Sequence, residues 1–230
     1  MIKEYYFYGN ESPVVSPVVK GFPSIRSQRD MYDALTKCWV ADTCAPRMRD
    51  EWSCDDKTKG QCSITAFLVQ DLFGGDVYGI PLGDGNVHCY NVVGDSIFDL
   101  TSEQFGDRAA LVYENNPLQD REHHFAKEEK KARYELLKNR LIENEKLTFL
   151  RSNDFLKLGT AVNDKNWDIV MMTVRRMEQK AQELGMDDMA RRLKQVKIAA
   201  QSRNREQGLA SIAQISSRRA QFINEKSKGM

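Results

Sequence analysis

The 230-residue chain has no apolar run approaching the roughly 20 residues that a membrane-spanning helix needs. Its opening, MIKEYYFY, lacks the basic segment and apolar stretch of a secretory leader, so a cytoplasmic location is the expectation. No charge of one sign dominates: 34 Lys and Arg stand against 33 Asp and Glu, so no global field marks a nucleic-acid or membrane binder. The 41% hydrophobic content supports a real core and argues against disorder. The five cysteines cannot all pair, and in a reducing compartment they read as free thiols. Each is then a question of burial or chemistry.

The last part of the chain lacks strand chemistry. From Asn153 onward there is no proline and no histidine, and 15 basic residues face 9 acidic ones. The rest of the chain carries a net −5. Three regions are therefore expected: an N-terminal arm over 1–30, an α+β domain over 31–150 and an all-helical module over 151–230. The arm holds Pro13, Pro17 and Pro23 and a possible edge strand around Tyr5–Tyr8. Residues 31–40 read as a short helix, with Met31, Leu35 and Trp39 four apart. Residues 62–73 are apolar on most sides, which describes a buried helix, and Gly74-Gly75 ends it. The period then changes to two. Strands are expected over 76–80, 87–93 and 96–100, the last two joined by a Gly94-Asp95 turn. Helical spacing returns over 124–146. The tail reads as helices over 154–162 and 167–184 and from 187 onward, with a break near Gly208.

Cys62, His88 and Asp99 form the candidate catalytic set. Cys62 opens the buried helix, where the helix dipole and unpaired N–H groups favour a thiolate and can face an oxyanion. With Gly94 and Asp95 as the turn, residues opposed across the hairpin have numbers summing to 189. His88 and Asp99 then lie diagonally on one face, roughly 7–8 Å apart at Cα. A one-residue slip would separate them. A nucleophile, a base and a carboxylate orienting the base are the parts of a thiol triad. Trp52, Tyr90 and Asn91 are candidates for shaping the substrate cleft, and core packing is the competing role for such residues.

The run GQCSITAFLVQDLFGG, followed by HCYN and IFDLTSEQF, resembles the YunG-like family of small bacterial proteins. That resemblance covers about residues 31–145, including Trp39, Trp52 and the RYELL segment. More distantly, the order Cys, His, Asp is similar to the transglutaminase-like branch of the papain-like thiol enzymes. The resemblance implies a Cys-bearing helix packed on an antiparallel sheet, with Cys62 as nucleophile, His88 as base and Asp99 as orienter. Papain relatives carry an oxyanion-holding glutamine several residues before the cysteine. Here Gln61 immediately precedes it and is the candidate for that role.

The expected activity is hydrolysis, deamidation or acyl transfer on a peptide or small amide, with no cofactor. The competing reading is a non-catalytic binding protein whose basic helical tail docks a partner. A zinc site is a third reading, weakened by the absence of C-x-x-C spacing. His123-His124 reads as a solvated helix start rather than a ligand pair. The stretch NWDIVMMTVRRMEQKAQELG has a faint likeness to histidine phosphotransfer hairpins, but Arg175 stands where their histidine falls. Neither nucleic acid nor membrane is an expected partner.

Overall fold

The computed structural model describes residues 4–83, 85–106 and 111–227. The first three residues of the expected arm, Asp84 and the last three residues of the helical module lie outside the described residues. The chain is α+β and divides into two compact units. The first comprises Met1–Lys20 with Ile25–Asn144, and the second Gly21–Ser24 with Glu145–Met230.

In the first unit, α1 spans Gln28–Leu35, with the Ser27 side chain accepting the Asp30 N–H at its start. This corrects the expected 31–40 helix. The helical bonds end at Leu35, whose carbonyl receives the N–H groups of both Cys38 and Trp39. Trp39 lies beyond the helix but is still buried, its indole N–H donating to Thr65 Oγ1 at 3.0 Å. Two short 3-10 turns follow, Ala41–Thr43 and Pro46–Glu51.

Helix α2, Cys62–Phe73, buries Ile64, Phe67, Leu68, Val69, Leu72 and Phe73. Each such side chain contributes about 1.5–3 kcal/mol of burial free energy. Its apolar surface on several sides has no other stable place than an interior. The chain leaves α2 through Gly74 and Gly75, both at positive φ. A Cβ on Gly75 would sit 2.2 Å from the Val92 carbonyl oxygen, so only glycine permits this close turn into the sheet.

The sheet has three antiparallel strands in sequence order: β1 Asp76–Pro81, β2 Val87–Val93 and β3 Ser96–Phe98. β2 and β3 pair as Asn91 with Phe98, Val92 with Ile97 and Val93 with Ser96, which is the register summing to 189. β3 is shorter than the expected 96–100 strand. Asp99 leaves it and makes an isolated bridge to Tyr8, donating its N–H to the Tyr8 carbonyl at 3.0 Å. The expected strand around Tyr5–Tyr8 is reduced to that bridge. α2 packs on β2 and β1. The Asn91 amide donates to the Ala66 carbonyl at 2.9 Å, which shows which face of β2 meets the helix.

A 3-10 turn, Ser102–Phe105, follows the sheet. Then come α3, Arg121–Phe125, capped by Asp120, and α4, Glu128–Leu150. The segment expected as one helix over 124–146 is thus two.

Besides the Gly21–Ser24 segment, the second unit consists of helices: the end of α4, then α5 Asp154–Asn163, α6 Trp167–Glu183, α7 Asp187–Gln201 and α8 Arg205–Ser227. Leu158, Val162, Val170, Val174, Met177 and Leu193 lie in its core. The break expected near Gly208 falls at 202–204 instead. There Arg203 takes φ 52 and the Asn204 N–H returns to the Ala199 carbonyl. Gly208 lies inside α8, where an added Cβ would approach Val162 to 2.8 Å. The glycine serves helix contact rather than helix termination. Among the described residues, no helix is long and apolar enough to cross a membrane.

Candidate active site

The site begins with the turn that delivers α2. Gly60 has φ +66, and a Cβ there would meet the Cys44 sulfur at 2.6 Å. Its N–H donates to Gln104 Oε1 and its carbonyl accepts from Ala45. The next residue but one, Cys62, is the first of the helix. The first intrahelical bond runs from the Thr65 N–H to the Gln61 carbonyl. The helix therefore does not use the N–H groups of Cys62, Ser63 and Ile64. Cys62 is partly exposed and lines a cleft of about 710 Å³.

His88 and Asp99 are each about 1% exposed. His88 Nε2 lies 2.5 Å from Asp99 Oδ2. The same carboxylate accepts the Tyr113 hydroxyl at 2.9 Å on Oδ2. On Oδ1 it accepts the Thr101 N–H at 2.9 Å and the Thr101 hydroxyl at 3.0 Å. Four donors thus surround a buried carboxylate, a well-satisfied arrangement for a charge out of water. Tyr113 is itself fixed, stacked on Tyr8 with ring centroids 3.7 Å apart and edge-on to Tyr90. Phe105 packs edge-on against the His88 ring at 4.6 Å.

With Nε2 committed to Asp99, Nδ1 is the nitrogen left for chemistry. It is buried and makes no hydrogen bond of ordinary geometry. The ring lies close enough to the Cys62 thiol for each to shift the other's pKa. Burial alone would push the His88 pKa down. The charge and hydrogen bond of Asp99, joined by Cys62, outweigh it and raise the pKa to about 10. The Cys62 pKa falls well below that of an ordinary thiol, chiefly through a hydrogen bond from the Cys89 thiol, against the opposing effect of burial, with His88 assisting. Cys89 is raised in turn, because its proton is held by Cys62 and because it is buried. Both shifts favour a Cys62 thiolate beside a His88 imidazolium.

Alternation along β2 puts Cys89 on the face opposite His88, the face that Asn91 ties to α2, and there it is a partner of the Cys62 sulfur. Several expectations are corrected here. The Gln61 side chain is fully buried and donates to the Val40 carbonyl at 3.2 Å, which directs its amide away from an oxyanion role. Trp52 donates its indole N–H to the Lys57 carbonyl, Tyr90 sits in the buried tyrosine cluster, and Asn91 ties β2 to α2. None of these four lines the cleft.

The remaining wall of the cleft had no place in the site as read from the sequence. It comprises His123 and His124 of α3, then Lys127, Lys130 and Arg133. His124 was expected to be solvated but is 9% exposed, its ring packed against Phe67 and Phe125. Burial, with Lys130 beside it, lowers its pKa to about 4. The neighbouring aromatics Phe125 and Tyr134 were the available signal that this segment is packed. Among the described residues, no group of three or more His, Cys, Asp or Glu is placed to hold a metal ion.

Comparison with known proteins agrees with the motif pattern. The family model described as YunG protein matches residues 27–146. The uncharacterized protein YunG of Bacillus subtilis (strain 168) is 36% identical over 67 residues, 29% of this chain and 56% of that protein. The chain thus spans about half the length of that curated relative. No solved structure matches. With the family model covering more than half of the sequence, including Cys62, His88 and Asp99, the chain belongs to the YunG family.

Proposed function

We propose that this protein is a thiol enzyme acting on an amide or related acyl group, with Cys62 as nucleophile, His88 as proton carrier and Asp99 as orienter. The observation that carries the reading is the buried His88–Asp99 pair, its carboxylate held by four donors, with His88 lining one cleft with Cys62 at the start of α2; the lowered Cys62 and raised His88 pKa values support it. The arrangement of a Cys-bearing helix on an antiparallel sheet fits the papain-like and transglutaminase-like thiol enzymes.

The chemistry follows from the residues. The Cys62 sulfur attacks the carbonyl carbon, forming the C–S bond while the carbonyl electron pair moves to oxygen. The N–H groups that α2 leaves over stabilise the resulting oxyanion. When the oxyanion collapses, the C–N bond breaks and the amine departs with the proton from His88 Nδ1, leaving a thioester. Neutral His88 then takes a proton from the acceptor, water or an amine. The acceptor oxygen or nitrogen bonds to the acyl carbon, and the sulfur leaves as thiolate beside the restored imidazolium. Asp99 keeps Nε2 protonated throughout, so that Nδ1 always faces the reaction.

Trapping tests this reading. Brief incubation with p-nitrophenyl acetate followed by peptide mass spectrometry should find acetyl on Cys62 ahead of the other four cysteines. Acetylation spread evenly over the thiols, or absent from Cys62, would refute the assignment.

A further inference from the structure

The charge of the cleft walls runs against that of the region around them. The residues before Asn153 carry five more acidic than basic groups. Yet the charged side chains lining the cleft are Arg47, Lys127, Lys130 and Arg133 against only Glu51 and Asp120. Arg133 has a counterion, Glu129, and also donates to the Thr43 carbonyl at 3.2 Å. Lys59 pairs with Glu51 at 2.9 Å, which neutralises one of the two acids.

Lys130 differs from Arg133. Its ammonium is half-buried, and burial lowers its pKa. Among the described residues it makes no ion pair. Its hydrogen-bond partner is His124 Nδ1 at 3.2 Å. An ammonium can only donate, so His124 accepts at Nδ1 and, being neutral, carries its own proton on Nε2. The histidine thus positions the lysine without neutralising it. Apart from Glu129, which is itself paired with Arg133, no carboxylate among the described residues offsets this half-buried cation, an unfavourable arrangement unless an anion completes it. Lys130 is also close enough to Cys89, the thiol that donates to Cys62, for its charge to lower the pKa of Cys89.

Building on the proposed thiol chemistry, we infer that Lys130, positioned by His124 and backed by Lys127, binds a carboxylate of the substrate, so that the acyl group accepted by Cys62 carries a negative charge. The substrate class is then an acidic acyl donor, such as the side-chain amide or ester of a dicarboxylic unit, rather than a neutral or cationic one.

Three p-nitrophenyl esters of matched chain length test this: the mono-adipate (anionic), the hexanoate (neutral) and the ε-aminocaproate (cationic). Nitrophenolate release coupled to acylation of Cys62 gives each rate. The expected order is adipate, hexanoate, aminocaproate, with adipate ahead of hexanoate by about 10- to 100-fold, the range of a hydrogen bond to a charged group. Lys130→Met should collapse that ratio, and Lys130→Arg should keep most of it. Raising the salt concentration should shrink the preference in the native protein. Equal acylation of Cys62 by the anionic and neutral esters, or a preference that survives Lys130→Met, would overturn this inference while leaving the nucleophile in place. Release that is the same in Cys62→Ser for all three esters would overturn the proposed function and this inference with it.

Discussion

Replacing Asp99 with asparagine removes the charge that, on the proposed chemistry, makes the site reactive, while keeping the size of the side chain. A His88 pKa moved from 6.5 to about 10 is a preference for imidazolium of ~5 kcal/mol on the usual free-energy scale. Asp99 is the largest favourable contributor, opposing the burial of a ring that is 1% exposed. Without its charge, burial dominates and the ring becomes neutral. The asparagine amide can also turn its nitrogen toward Nε2, which selects the wrong tautomer. The proton then returns to Cys62. An ordinary thiol with a pKa of ~8.5 is only about 3% thiolate at neutral pH. The iodoacetamide reaction of Cys62 should therefore slow in Asp99→Asn, by at most about 30-fold, because the Cys89 hydrogen bond to the sulfur remains. Peptide mass spectrometry follows the labelling, with exposed Cys54 as the internal reference and near-ultraviolet circular dichroism as the check on folding. An Asp99→Asn protein that is folded, yet labels at Cys62 as fast as the native one, would refute the electrostatic account of the site.

Other outcomes follow from the same geometry. The alkylation rate of an ordinary thiol climbs with pH toward ~8.5, whereas Cys62 should react at a nearly constant rate across the neutral range, because its proton already resides on His88; a pH–rate profile resolves the two. Cys89→Ala removes the largest stabiliser of the thiolate and should slow Cys62 labelling most at mildly acid pH, while Cys89→Ser, which keeps a donor, should slow it less. His124 is held neutral with a pKa of about 4 against an ordinary 6.5. Its contribution to stability is present above pH 6.5 and is lost as pH falls through 4, so His124→Phe should flatten the acid side of a pH–stability curve measured by thermal melting. Gly60→Ala, which forces a side chain onto the Cys44 sulfur at positive φ, should cost about 1–3 kcal/mol in denaturant titration.

The helix bearing Cys62 and the hairpin bearing His88 were legible because both rest on local rules. Ile64, Phe67, Leu68 and Leu72 announce a buried helix by spacing alone. A two-residue turn at Gly94-Asp95 fixes the β2–β3 register, and the observed pairs are the ones it dictates. What escaped depends on segments brought together from far along the chain. Asp99 is held by Tyr8 and Tyr113, on two aperiodic stretches, and nothing in their spacing points to it. Alternation along β2 tells which strand face Cys89 is on but not what covers that face. Which face α2 covers is a tertiary fact, and it brings Cys89 to Cys62. Gln61, Trp52, Tyr90 and Asn91 are polar or aromatic residues near the motifs, but each satisfies a backbone carbonyl or a packing contact instead of the cleft. His124 looked like part of a solvated helix start because its aromatic neighbour Phe67 lies on α2. The Gly208 break failed for a related reason: a helical glycine can mark close approach to another helix as well as an end.

The most direct test of the central claim is an ultraviolet thiolate titration of the native protein, read as its difference from Cys62→Ser. The account requires a thiolate step well below ~8.5 that is present in the native protein and shifts upward in His88→Ala. A difference signal that appears only near the ordinary thiol range, unchanged by His88→Ala, would contradict it.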